Sequence, residues 1–190
     1  MRTVNPSVAN PPAAAAGSCA TQARCVGIVI AVPEPMATHL QHARASFGDP
    51  MASVVPAHIT LVTTTEAEDW DAAVRHVREV TSRQQAFRIT LRGTDSFRPV
   101  SPVVFLRVED GFEECTSLHK ELQTGPLARD LAFPYHPHVT VAHDVSEAGM
   151  DSAVERLRDY ETSFTVTSVG LYEHDPSGIW RLREEMPLGG

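Results

Sequence analysis

The stretch His58-Ile59-Thr60-Leu61-Val62 is a short run of apolar, mostly β-branched residues, opened by a histidine with a threonine two places on. It returns in form at His138-Val139-Thr140-Val141-Ala142. Residues i and i+2 of a strand share a face. Each run therefore presents an imidazole and a hydroxyl side by side while its alternate residues pack. One such run says little; two ask for a common cause.

Outward from these runs the chain alternates strands and helices. Cys25 to Val32 reads as a buried strand ended by Pro33 and Pro35, and Met36 to Ser46 as a helix with Leu40, Ala43 and Phe47 on one stripe. After the first motif strand, Thr65-Glu66-Ala67-Glu68 matches a capping box opening an amphipathic helix with Trp70, Ala73, Val74, Val77 and Val80 inward. Ala86 to Arg92 alternates as a half-exposed strand. The second half then gives a strand over Pro102–Val108, a helix over Phe112–Gln123, the second motif strand and a helix over Met150–Tyr160. One long strand over Phe164–Tyr172 follows, and an Asp175-Pro176-Ser177-Gly178 turn leads into a last strand, Ile179–Arg183. The order strand, helix, motif strand, helix, strand thus occurs twice. The expectation is an α+β fold of two small lobes, with motif strands related by a pseudo-twofold axis and facing one cleft. Residues 1–23, rich in Ala and Pro, read as a disordered tail, and residues 24–190 as a single bilobal domain.

The chain has 190 residues, a formal net charge of -8 and 42% hydrophobic residues. That balance argues against duplex DNA or long RNA as partner, since those need a basic face. Three cysteines, Cys19, Cys25 and Cys115, form no CxxC pair and read as reduced thiols. No run reaches the ~20 apolar residues of a membrane span. Prolines 6, 11 and 12 break any signal-peptide core. A cytoplasmic, monomeric protein is expected.

Two imidazoles across a cleft can divide acid–base work, because histidine titrates near neutrality. One takes a proton from a nucleophile while the other gives one to a leaving oxygen, worth typically ~10²–10⁴-fold. Threonine hydroxyls can donate to the non-bridging oxygens of a phosphoryl group. Two His and two Thr make a metal-free kit for opening or closing a phosphodiester.

These motifs, with Tyr135-His136-Pro137 leading into His138, resemble the 2H phosphoesterase superfamily, in its 2'-5' RNA ligase and 2',3'-cyclic phosphodiesterase branch. The resemblance covers roughly Val26 to Arg183. It implies a bilobal, pseudo-symmetric fold with two antiparallel-rich sheets lining a central cleft and helices outside, and no metal or organic cofactor. It implies His58 and His138 as the catalytic pair, Thr60 and Thr140 as the phosphate-binding pair, and chemistry on cyclic phosphates or 2'-5' linkages. For hydrolysis it casts His58 as acid and His138 as base; reversing the reaction swaps them. Bacterial RNA ligase relatives often carry an arginine where this chain has His143, and an aromatic where it has Thr63. These departures and the acidic balance point to a nucleotide or short RNA end rather than a tRNA-sized substrate.

Other readings stand beside this one. The site could ligate RNA ends without ATP, or bind a nucleotide phosphate without turnover. His136, His138 and His143, or His39 and His42, could hold a metal, although catalytic zinc usually adds a carboxylate or a third well-spaced His. His39, His42, His76 and His119 are expected on solvated helix faces. Tyr135 is a candidate to stack on a base, or else a core tyrosine. His143 is a candidate substrate contact.

Overall fold

A run that is apolar at every position belongs in the middle of a sheet, and Cys25 to Ile30 is such a run, buried throughout. It forms β1 (Arg24–Ala31), which pairs antiparallel with a strand on each side. The computed structural model describes residues 24–174 and 180–189. Along the chain the other elements are α1 (Met36–Ser46), β2 (His58–Ala67), α2 (Trp70–Arg83), β3 (Phe87–Ser96) and β4 (Val103–Val108). They continue as α3 (Phe112–Leu122), β5 (His138–His143), α4 (Glu147–Arg156), β6 (Glu161–Val166), β7 (Ser168–His174) and β8 (Trp180–Pro187).

The strands make one curled antiparallel sheet in the order β6-β3-β4-β5-β2-β1-β7-β8. It divides into two halves of like plan. In each, the motif strand (β5 or β2) lies innermost, followed by the strand that opens that half of the chain (β4 or β1). Next comes a strand from the other half of the chain, β3 beside β4 and β7 beside β1. The motif strands meet through a single register pair, Ile59 opposite Val139. The helices are exchanged as well, since α1 leads into β2 but packs on β5, while α3 leads into β5 and packs on β2. The α+β, pseudo-twofold architecture is the one the sequence implies, with the two sheets continuous through that one pair.

Ile59, Leu61, Val139 and Val141 are wholly buried, as the period of two requires. α1 runs over the residues expected of it. The capping box does not form: β2 runs on to Ala67 because Thr65, Glu66 and Ala67 pair with Val26, Cys25 and Arg24. Asp69 caps α2 instead, accepting the Ala72 N–H. α4 starts earlier than expected, capped by Ser146. The single long strand expected over Phe164–Tyr172 is two strands, parted at Thr167, with β6 on β3 at one edge and β7 on β1 in the other half. Buried Val166 and Val169 are three apart, a spacing that one flat strand cannot put on one face. Cys25 is disulfide-bonded, against the expectation of reduced thiols, whereas Cys115 is free and buried, which pushes its thiol up to about 12. The tail over residues 1–23 and the turn at 175–178 lie outside the described residues. Among the described residues no helix is long and apolar enough to cross a membrane.

Candidate active site

The Ile59–Val139 pair sets the geometry of its neighbours. One residue either way along antiparallel strands, His58 comes opposite Thr140 and His138 opposite Thr60. All four are displaced by one from a pair buried on the opposite face, so they share the other face. Residues directly opposite have Cβ atoms about 5 Å apart, and diagonal ones roughly 7–8 Å. The two histidines are the diagonal, which leaves room for a group between their rings, with a threonine flanking each.

Each imidazole is fixed in the same way. His58 Nδ1 lies 2.7 Å from the carbonyl oxygen of Pro56, and His138 Nδ1 lies 2.7 Å from that of His136. A carbonyl can only accept, so both Nδ1 atoms carry the proton and donate. In a neutral ring of that tautomer Nε2 carries the lone pair. The local sequences place a proline in each lead-in, Pro56-Ala57-His58 and His136-Pro137-His138.

The surroundings of the two rings differ. His138 is buried among aromatic rings, with Phe97 at 5.0 Å edge-on and Phe105 at 5.2 Å between ring centres. His58 is half-buried, and its pKa is pushed down to about 4, chiefly by burial. The Pro56 carbonyl opposes that shift, and the Arg44 guanidinium adds to it. His58 is therefore neutral at neutral pH.

Thr60 is buried and Thr140 half-buried. Tyr135 lies flat on His119, ring centres 3.8 Å apart at 7°, and donates its hydroxyl to the Thr60 carbonyl at 3.0 Å. One face of its ring is thus taken, and the side chain braces the first motif strand. His119, expected on a solvated helix face, is buried, and its Nδ1 donates to the Leu61 carbonyl at 2.7 Å. His76, expected likewise, is half-buried, with Nε2 3.2 Å from the Leu122 carbonyl. His39 and His42 are exposed as expected. His143 lines a recess together with His58 and Thr140. Among the described residues no three His, Cys, Asp or Glu side chains are grouped to hold a metal ion.

The same recess contains a residue that the motifs do not point to. Arg44 is only 5% exposed, its Nε 2.8 Å from Asp49 and its Nη1 2.6 Å from the Val55 carbonyl. The signal lay in spacing: Arg44 is four residues after buried Leu40, on the same helical stripe, and Asp49 follows within reach.

The curled antiparallel α+β sheet thus carries a His-x-Thr pair on each of its two central strands. Residues 32–178 match the family model described as the 2'-5' RNA ligase superfamily, and the chain belongs to that superfamily. The resemblance read from the motifs is borne out. A protein of Bacillus cytotoxicus named as a phosphoesterase is 29% identical over 168 residues, which cover 86% of this chain and 96% of that one. E. coli LigT in complex with NADP+ superposes with a TM-score of 0.67 at 21% identity, over 88% of this chain and 99% of LigT. LigT in complex with 3'-AMP gives a TM-score of 0.64 at 24% identity, over 89% of this chain and 100% of LigT. Both LigT structures share the fold.

Proposed function

We propose that this protein hydrolyses a 2',3'-cyclic phosphate, or a related cyclic or 2'-5' phosphodiester, of a nucleotide or short RNA end, using His58 and His138 without a metal ion. The observation that carries the reading is the mirrored tethering of the two rings, each with Nδ1–H on the carbonyl two residues upstream, the tautomer that puts the lone pair on Nε2. Family membership and relatives named as phosphoesterases support it. LigT bound to 3'-AMP and NADP+ fits a nucleotide in the cleft.

Because burial and Arg44 keep His58 neutral, we assign it as the base for hydrolysis, which exchanges the roles that the resemblance implied. His58 Nε2 takes a proton from water as its oxygen attacks phosphorus. The bond from phosphorus to one ribose oxygen breaks, and that oxygen takes a proton from His138 acting as the acid. Thr60 and Thr140 donate to the non-bridging oxygens, where charge builds. Run backwards with a ribose hydroxyl or an RNA end in place of water, the same proton transfers close a diester, which is the ligase reading. The test is incubation with 2',3'-cyclic nucleotides in EDTA, followed by phosphorus NMR. Turnover that persists in EDTA and drops ~10²–10⁴-fold in both His58→Ala and His138→Ala supports the reading. Tight binding without turnover makes the protein a sensor, and inhibition by EDTA removes the metal-free mechanism.

A further inference from the structure

The recess beside His58 is built like an anion site, and the two motifs do not account for it. Its wall includes Arg44, Asp49, Val55, His58, Thr140 and His143. The volume is about 30 Å³, room for one small polyatomic group and far too little for a nucleobase. An arginine as deeply buried as Arg44 needs its charge matched and its donors used. Asp49 supplies the charge. Its Oδ2 accepts from Arg44 Nε at 2.8 Å and its Oδ1 from the Met51 N–H at 2.8 Å, so both carboxylate oxygens are occupied from within. The Val55 carbonyl takes Nη1 at 2.6 Å. Arg44 Nη2 has no acceptor among the described residues. The Asp49 oxygens and the Val55 carbonyl are thus engaged while donors remain: Arg44 Nη2 and the His143 ring.

A rigid guanidinium held by two internal contacts and lining a small recess suits an oxyanion in shape and in donor geometry. The recess opens beside His58 and Thr140, next to where the reacting phosphate would lie. We propose that it is a second-phosphate subsite: Arg44, with His143, binds a further phosphate of the nucleotide, beyond the one that reacts. This rests on the cleft being a nucleotide-phosphate site, as proposed above, and narrows its substrate to a nucleotide carrying two separate phosphates.

Calorimetric titration with two ligands that cannot turn over tests this: adenosine 3'-monophosphate, and adenosine 3',5'-bisphosphate. Wild-type protein is expected to bind the bisphosphate at least about tenfold more tightly. Arg44→Met alone would strand a buried carboxylate, so the informative variant is Arg44→Met with Asp49→Asn, its folding checked by thermal melting. In that variant the ratio should fall to near one, and His143→Ala should lower it partway. Equal binding of the two ligands by wild type overturns the subsite, as does a preference that survives in the double variant. Should the double variant fail to fold, Arg44→Lys serves in its place. Lysine keeps the charge opposite Asp49 but loses the fork, so an unchanged ratio again counts against the subsite. Failure of the parent reading looks different: bisphosphate preferred, but no turnover of any cyclic phosphate.

Discussion

Ile59 of β2 lies opposite Val139 of β5, and this one pair joins the two halves of the sheet. Both side chains are wholly buried. The residues that flank them, His58 with Thr140 and Thr60 with His138, therefore inherit their positions from a hydrophobic contact. The site is a by-product of how two like half-sheets meet, and its near symmetry is the symmetry of that junction. What breaks the symmetry is local: a buried cation beside His58, and aromatic rings around His138.

The threonine hydroxyls should matter for rate far more than for fold. Thr60→Val and Thr140→Val keep the branched shape and remove a donor to the non-bridging oxygens. Loss of one such donor typically costs ~10²–10³ in kcat. Each variant should show a drop of that order on a 2',3'-cyclic nucleotide with little change in melting temperature, and serine at either position should restore most of it. Full activity in the valine variants would remove the threonines from the mechanism.

Burial of His58 also predicts how stability depends on pH. In the folded chain the ring titrates at about 4, and in the unfolded chain near ~6.5. Between these values the unfolded state binds more protons. The contribution is therefore fully present above about 6.5, declines as pH falls, and is gone by about 4. Wild type should lose more melting temperature between pH 7 and 4.5 than His58→Gln, which has no proton to gain there. Parallel curves for the two proteins would show that His58 is not held neutral by the fold.

Much of this was legible because the motif strands combine two signals that agree: a period of two, and a repeated His-x-Thr. The buried stripe of α1 and the apolar run of β1 were equally plain. The sequence is less informative where tertiary pairing overrides a local pattern. Thr65 to Glu68 looks like a helix cap, but the ladder to β1 holds it in β2. Phe164 to Tyr172 looks like one strand, yet its halves pair with β3 and β1 in opposite halves of the sheet. His119 belongs to the same class, a polar residue at a buried helical position whose Nδ1 partner, the Leu61 carbonyl, is distant in sequence. Buried Arg44, by contrast, has Asp49 close by as well as the more distant Val55 carbonyl.

Tyr135 should prove a brace rather than a base-stacking platform. Its hydroxyl satisfies the Thr60 carbonyl, and its ring is backed by His119. Tyr135→Phe keeps the stack and deletes the hydrogen bond, a loss of about 1 kcal/mol, or a fall of roughly 2–4 °C in melting temperature for a chain of this size. Because the bond holds the residue that carries the Thr60 hydroxyl, kcat should fall several-fold while KM stays near its wild-type value. A base-stacking role would instead raise KM with kcat intact, so the two constants separate the alternatives.

The junction itself can be tested by comparing two cavities of equal chemistry. Ile59→Ala and Ile89→Ala each remove a wholly buried isoleucine from a strand, and each should cost ~2–5 kcal/mol in chemical denaturation. Ile89 lies in β3, well inside one half of the sheet, so its loss weakens that half without moving the motif strands relative to each other. Ile59 is one member of the only register pair between β2 and β5. Its loss lets the motif strands shift, and a displacement of about 1 Å at reacting groups can cost ~10²-fold in rate. The expected result is similar destabilisation in the two variants with a kcat deficit concentrated in Ile59→Ala, measured well below either melting transition. Equal kcat in both would mean that the helices exchanged between the halves, α1 on β5 and α3 on β2, hold the histidines in register without the central pair.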